Sequence, residues 1–123
     1  MSQQVHGSPF EPLGSAEYAG AAAAISLTTV PTDAGGFGKT ITQIETTLNS
    51  ASLTASPRKI VHSLTFSIEG GSARVLTTGQ TPTAAVGIAY AAGVYEWEND
   101  AIRIHGAQFF LPVGVTLNVE YGQ

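Results

Sequence analysis

The sequence predicts an all-β chain, an antiparallel sandwich or barrel, and three observations carry that expectation. Apolar and polar residues alternate through several short segments after Ser52, most cleanly where Val113, Val115, Leu117, Val119 and Tyr121 interleave with Gly114, Thr116, Asn118 and Glu120. Turn signals built from Gly, Pro, Asn and Asp separate those segments. Thr and Val suit pleated surfaces, 14 Gly supply turns, and convincing helix is scarce.

Residues 1–20 carry Gly7, Pro9, Pro12, Gly14 and Gly20 with few apolar residues, the composition of an extended arm. Phe10, Leu13 and Tyr18 are the candidate inter-subunit anchors of that arm. The expected division is an arm and extension over residues 1–50 and a β-sandwich domain over residues 51–123. Within the extension, Ile25, Leu27 and Thr29 alternate, which favours a strand ending at Pro31 over a short helix capped by Ser15. Residues 31–38 read as a loop. Ile41, Ile44 and Leu48 then fall at helical spacing, so one short helix is expected, although the many Thr residues weigh against it and a strand over 39–50 remains the alternative.

In the second part, Ile60, Leu64, Phe66 and Ile68 share one face of a strand, and Val61, Ser63, Thr65 and Ser67 share the other. Glu69-Gly70-Gly71-Ser72 reads as a turn, with Ala73–Thr77 as the return strand of a hairpin. Val86–Tyr90 is a further short strand. Tyr95 and Trp97 then face one way and Glu96 and Glu98 the other. Asn99-Asp100 turns into a strand with Ile102 and Ile104 inward.

A chain of 123 residues suits one domain, and 43% hydrophobic residues suffice for a core. Only 11% are charged, so other copies or a partner are expected to cover much of the surface. A net charge of −4 with five Lys or Arg offers no basic stripe to a phosphate backbone, which argues against nucleic acid. The absence of Cys excludes disulfides and thiolate chemistry. No apolar run reaches membrane-spanning length, and MSQQVHGSPFEPLGS lacks the pattern of a secretion signal, so assembly in a cytoplasm is expected.

Candidate chemistry is sparse. Gly38-Lys39-Thr40 resembles the end of a phosphate-binding loop, but Asp33 stands where that loop needs its first Gly. His6, His62 and His105 lack any ligand spacing. Glu96, Glu98 and Asp100 cluster near one turn, yet the two glutamates alternate along a strand as a solvated face would. No GxSxG elbow is present. The expectation is therefore a protein that is not an enzyme, with no catalytic, cofactor-binding or metal-binding residues.

From about Ser52 to Tyr121 the order is a hairpin over Ile60–Thr78, then Gly79-Gln80-Thr81-Pro82-Thr83-Ala84-Ala85-Val86-Gly87-Ile88, an Ala92-Gly93 step, an aromatic and acidic strand, and the closing Val115-Thr116-Leu117-Asn118-Val119-Glu120-Tyr121. This stretch, a little over half the chain, resembles small β-sandwich, often jelly-roll-like, structural virion proteins of tailed bacteriophages. A "TAPTASVG"-like loop and a "TLNVTY"-like strand recur in them. The resemblance implies a capsid decoration, or cement, protein on the virion surface. Its partners would be the major capsid protein and other copies of itself in a homotrimer, without cofactors, nucleic acid or membrane. The alternative is a receptor- or carbohydrate-binding module of a tail or head fibre, which needs Tyr95 and Trp97 as an exposed aromatic platform.

Overall fold

The computed structural model describes residues 12–33, 36–50 and 59–123. Along them run β1 (Pro12–Ala19), β2 (Ala23–Ser26), α1 (Ile41–Ser50), β3 (Ser63–Glu69) and β4 (Ala73–Leu76). There follow β5 (Ile88–Tyr90), β6 (Gly93–Glu98), α2 (Ala101–Gly106), β7 (Gln108–Leu111) and β8 (Thr116–Gly122). Two four-stranded sheets form, in the orders β1-β8-β3-β6 and β2-β7-β4-β5, and every pairing is antiparallel.

The pairs β4–β5, β3–β6, β2–β7 and β1–β8 are nested, as in one long hairpin whose turn lies within residues 77–87. Successive strands of each arm alternate between the sheets, so the hairpin is rolled up. This is the eight-stranded jelly roll, and the expected all-β sandwich is the fold observed.

Alternation decides what is buried. Leu64, Phe66 and Ile68 of β3 point inward beside Leu117, Val119 and Tyr121 of β8, facing Val75, Phe109 and Leu111 of the other sheet. Phe66 lies at the centre, with ring centroids at 5.0 Å from Trp97, 5.3 Å from Tyr95 and 5.5 Å from Phe109. Phe109 comes from the opposite sheet, so this aromatic cluster joins the layers. Full burial of each such ring contributes about 1.5–3 kcal/mol.

Two helices lie off the sheets. Thr40 and Gln43 start α1 with a reciprocal pair: Thr40 Oγ1 accepts the Gln43 N–H (3.1 Å) and Gln43 Oε1 accepts the Thr40 N–H (2.8 Å). Ile41 and Ile44 are then buried at helical spacing, as expected, which resolves residues 41–50 as helix. Asp100 caps α2 by accepting the Arg103 N–H, and Ile104 is fully buried.

Four expectations need correction. Residues 12–19 are not an arm but β1, paired along β8; the expected strand after residue 21 forms as β2, paired along β7, so the sandwich begins at Pro12 rather than at residue 51. β3 and β4 are not a hairpin. They lie in different sheets, and Glu69–Ser72 carries the chain across the sandwich, with Gly70 at φ +88° against the Gly114 carbonyl. Residues 101–106 form a helix rather than a strand, leaving Ile102 exposed. At the start of the β3 segment the alternation slips, so Val61 is buried and Ile60 exposed.

Candidate functional site

The two outer faces of the sandwich differ in chemistry, and the register defines both. On the first sheet, one row across the strands is Ser15, Glu120, Thr65 and Glu96, and the next is Glu17, Asn118, Ser67 and Val94. Glu98 pairs with Ser63, and Glu69 with Thr116. Glu17, Glu69, Glu96, Glu98 and Glu120 are all exposed, and no Lys or Arg stands on this face among the described residues. Hydroxyls and carboxylates alternate over it.

The second sheet carries the opposite character. Its outer rows are Ala24, Phe110, Arg74 and Ala89, then Ser26, Gln108 and Leu76. A groove of about 440 Å³ between Ala22, Arg74, Ala84, Ala89, Phe110 and Val113 follows this face. Val113 is 78% exposed at its rim. Arg74 is the only charged residue in the outer rows, and its guanidinium donates to the Gly87 carbonyl (3.0 Å). A second groove, of about 640 Å³, runs between α1 and the start of β1, lined by Leu13, Ile44 and Leu48 with Lys39.

The residues singled out by sequence do not converge. Leu13 is half-buried against the core and lines the groove beside α1. Tyr18 is buried within its own chain and donates its hydroxyl proton to the Thr29 carbonyl (2.8 Å). It cannot serve as a surface anchor, because its ring faces inward in the register of β1. Phe10, like His6, lies outside the described residues.

Trp97 is buried and Tyr95 half-buried, with the Tyr95 hydroxyl donating to Ala91 O (2.6 Å) and the Arg103 guanidinium 5.3 Å from the Trp97 ring centre. They form part of the core and present no aromatic platform. Glu96 and Glu98 lie on the outer face, whereas Asp100 turns away to cap α2.

The loop before α1 shows why it does not cradle phosphate. The Asp33 carboxylate accepts the N–H groups of Phe37 (2.9 Å) and Gly38 (3.0 Å), so those donors are already engaged. His62 is half-buried with Nδ1 unpartnered. Sequence reading missed the partnership of His105 with Glu45, 60 positions apart: the imidazole Nε2 lies 2.6 Å from Glu45 Oε2, which also accepts the Val61 N–H (2.9 Å). No local spacing signals that pair. Among the described residues, no three His, Asp or Glu side chains converge to hold a metal ion, and no helix is long and apolar enough to cross a membrane.

The arrangement can bury protein surface on one face and meet positive charge on the other. No family model, curated protein or solved structure matches this chain.

Proposed function

We propose that this chain is a structural protein of a phage virion. It acts as a capsid decoration protein that bridges neighbouring major capsid subunits and assembles as a homotrimer. The observation that carries this reading is the apolar outer face of the second sheet, where Phe110, Ala24, Ala89 and Val113 surround a single engaged cation. A contiguous apolar patch on the surface of a small domain is a place where another protein can dock. Modest contacts of this kind, repeated over a lattice, accumulate into firm attachment. The resemblance of residues 52–121 to virion proteins and the low charge of the chain support the same reading. Residues 1–11 take over the role first given to residues 1–20, because residues 12–19 belong to the sandwich.

The test is co-sedimentation of purified chain with particles that lack it, alongside sedimentation equilibrium of the free chain. Val113→Glu places a charge on an exposed position, so the fold and its melting temperature are expected to stay as they are. Attachment is expected to fall by at least about tenfold, as a contact loses ~1.4 kcal/mol or more. Removal of residues 1–11 is expected to weaken the trimer. Undiminished attachment of Val113→Glu, together with a monomeric free chain, overturns the proposal.

A further inference from the structure

The four edge strands are protected unequally. β1 is covered by the chain that follows β2. Its Glu17 carbonyl accepts the Thr32 N–H (2.8 Å), its Ala19 N–H reaches Thr32 Oγ1 (2.7 Å), and its Ser15 carbonyl accepts the Lys39 N–H (2.9 Å). β2 and β5 are only four and three residues long. β6 has six residues, and among the described residues nothing pairs with its outer edge. Val94 on it is 72% exposed. An edge of that length, unpaired among the described residues, presents backbone donors and acceptors that other proteins usually cover or shorten.

We infer that the outer edge of β6 is a docking site for an extended segment of a partner protein in which basic and apolar residues alternate. Such a segment would add a fifth strand to the first sheet. The side chains already on β6 decide the occupant. Residues of an added strand on the outer side would stand directly beside Glu96 and Glu98, within a face that, among the described residues, holds five carboxylates and no cation. Cross-strand neighbours of opposite charge stabilise a pair, and like charges oppose it. A second copy of β6 brings its own Glu96 and Glu98 to that position and is disfavoured by repulsion. Lys or Arg fits.

On the inner side, the added residues would pass the half-buried Tyr95 and Tyr90. The Tyr90 ring packs on Tyr95 at 5.0 Å, and Tyr90 also lines a groove of about 350 Å³ with Val75, Ile88 and Arg103 on the β5 side. Apolar side chains fit beside those rings. Main-chain bonds would supply the attachment and alternate side chains the selectivity. Only the identity of the partner rests on the capsid reading; a cement protein needs a second contact besides its apolar face, and β6 supplies one.

The experiment uses the full chain and three synthetic octapeptides, and is read by amide shifts in nuclear magnetic resonance. The peptides alternate Val with Lys, alternate Val with Glu, or repeat the Val–Lys peptide with alternate backbone nitrogens methylated. The Val–Lys peptide is expected to bind and to shift the amides of residues 93–98. The Val–Glu and methylated peptides are expected to bind at least about tenfold more weakly, the first through charge and the second through lost donors. Glu96→Lys/Glu98→Lys, at exposed positions that leave the core intact, is expected to reverse the preference between Lys and Glu peptides. Equal binding of the methylated peptide reduces the contact to charge attraction and overturns the inference. Pairing of β6 with a second copy in the free chain, or no shift at residues 93–98, overturns it as well. Because no particle is involved, failure here leaves the test of capsid attachment untouched.

Discussion

Two tyrosine hydroxyls are buried where β1 meets β8, and they are not equally well served. Tyr18 gives its proton to the Thr29 carbonyl. Tyr121 sits against Tyr18, whose hydroxyl is close enough to act on it, although the two do not meet in well-aligned hydrogen-bonding geometry. Burial raises both phenols above their ordinary value of 10.0, and for Tyr121 the neighbouring Tyr18 adds to the rise. The folded state therefore holds both protons where the unfolded chain would release them. The stability contributed by the neutral phenols is complete below about pH 10 and is lost as the pH rises further.

Urea unfolding at neutral and alkaline pH is expected to show that loss, with a shallower decline in Tyr121→Phe. At neutral pH, Tyr121→Phe is expected to change stability by less than about 1 kcal/mol, since its hydroxyl has at most a poorly aligned contact with Tyr18 to lose. Tyr18→Phe is expected to cost about 1 kcal/mol, since it strands the Thr29 carbonyl. A larger loss in Tyr121→Phe than in Tyr18→Phe would show that the unpartnered hydroxyl is misassigned.

Among the elements, the helices depend on one carboxylate. Glu45 on α1 accepts both the Val61 N–H and the ring of His105 on α2. Val61 is fully buried, so Glu45→Ala leaves that donor without an acceptor and is expected to cost about 1–3 kcal/mol. His105→Ala removes only the half-exposed partner and is expected to cost below about 1 kcal/mol. Thermal denaturation of the two variants compares them directly, and equal losses would contradict the assignment.

How far the elements could be read follows the same physics. The helix α1 was legible because Ile41, Ile44 and Leu48 keep helical spacing over ten residues. Residues 101–105 alternate Ile102 and Ile104 over too few positions to separate strand from helix. The capping bond of Asp100 decides for helix. β7, Gln-Phe-Phe-Leu, was missed because two adjacent aromatics hide its alternation, although Phe109 is inward and Phe110 outward. β1 carried a usable signal, Ser15 and Glu17 outside with Ala16 and Tyr18 inside, but its prolines and glycines drew the reading towards an arm. The position of β6 at the edge of its sheet was not legible at all. Strand order is a property of nested long-range pairs, and no local pattern states which strand ends up last.

At the scale of the whole molecule, those nested pairs determine what can be removed. β8 is flanked by β1 and β3, and β7 by β2 and β4. A chain cut at residue 50 would strip one neighbour from each and would also remove Tyr18, Leu27, Ile41 and Ile44 from the core. Each lost large apolar side chain withdraws on the order of 1.5–3 kcal/mol of burial, so four of them rival the whole stability of a small domain. Residues 51–123 alone are therefore expected to remain unfolded or to aggregate through the exposed edges of β8 and β7. Residues 12–123 are expected to fold with dispersed amide resonances and a cooperative melt. Folding of the longer fragment is expected to be slow, on the order of milliseconds to seconds, because its outermost strands pair across nearly the full chain length. A well-dispersed spectrum from residues 51–123 would mean that the first two strands merely decorate a six-stranded core. The second sheet would then need another way to cover β7, and the apolar face assigned to partner binding would be the first place to look for it.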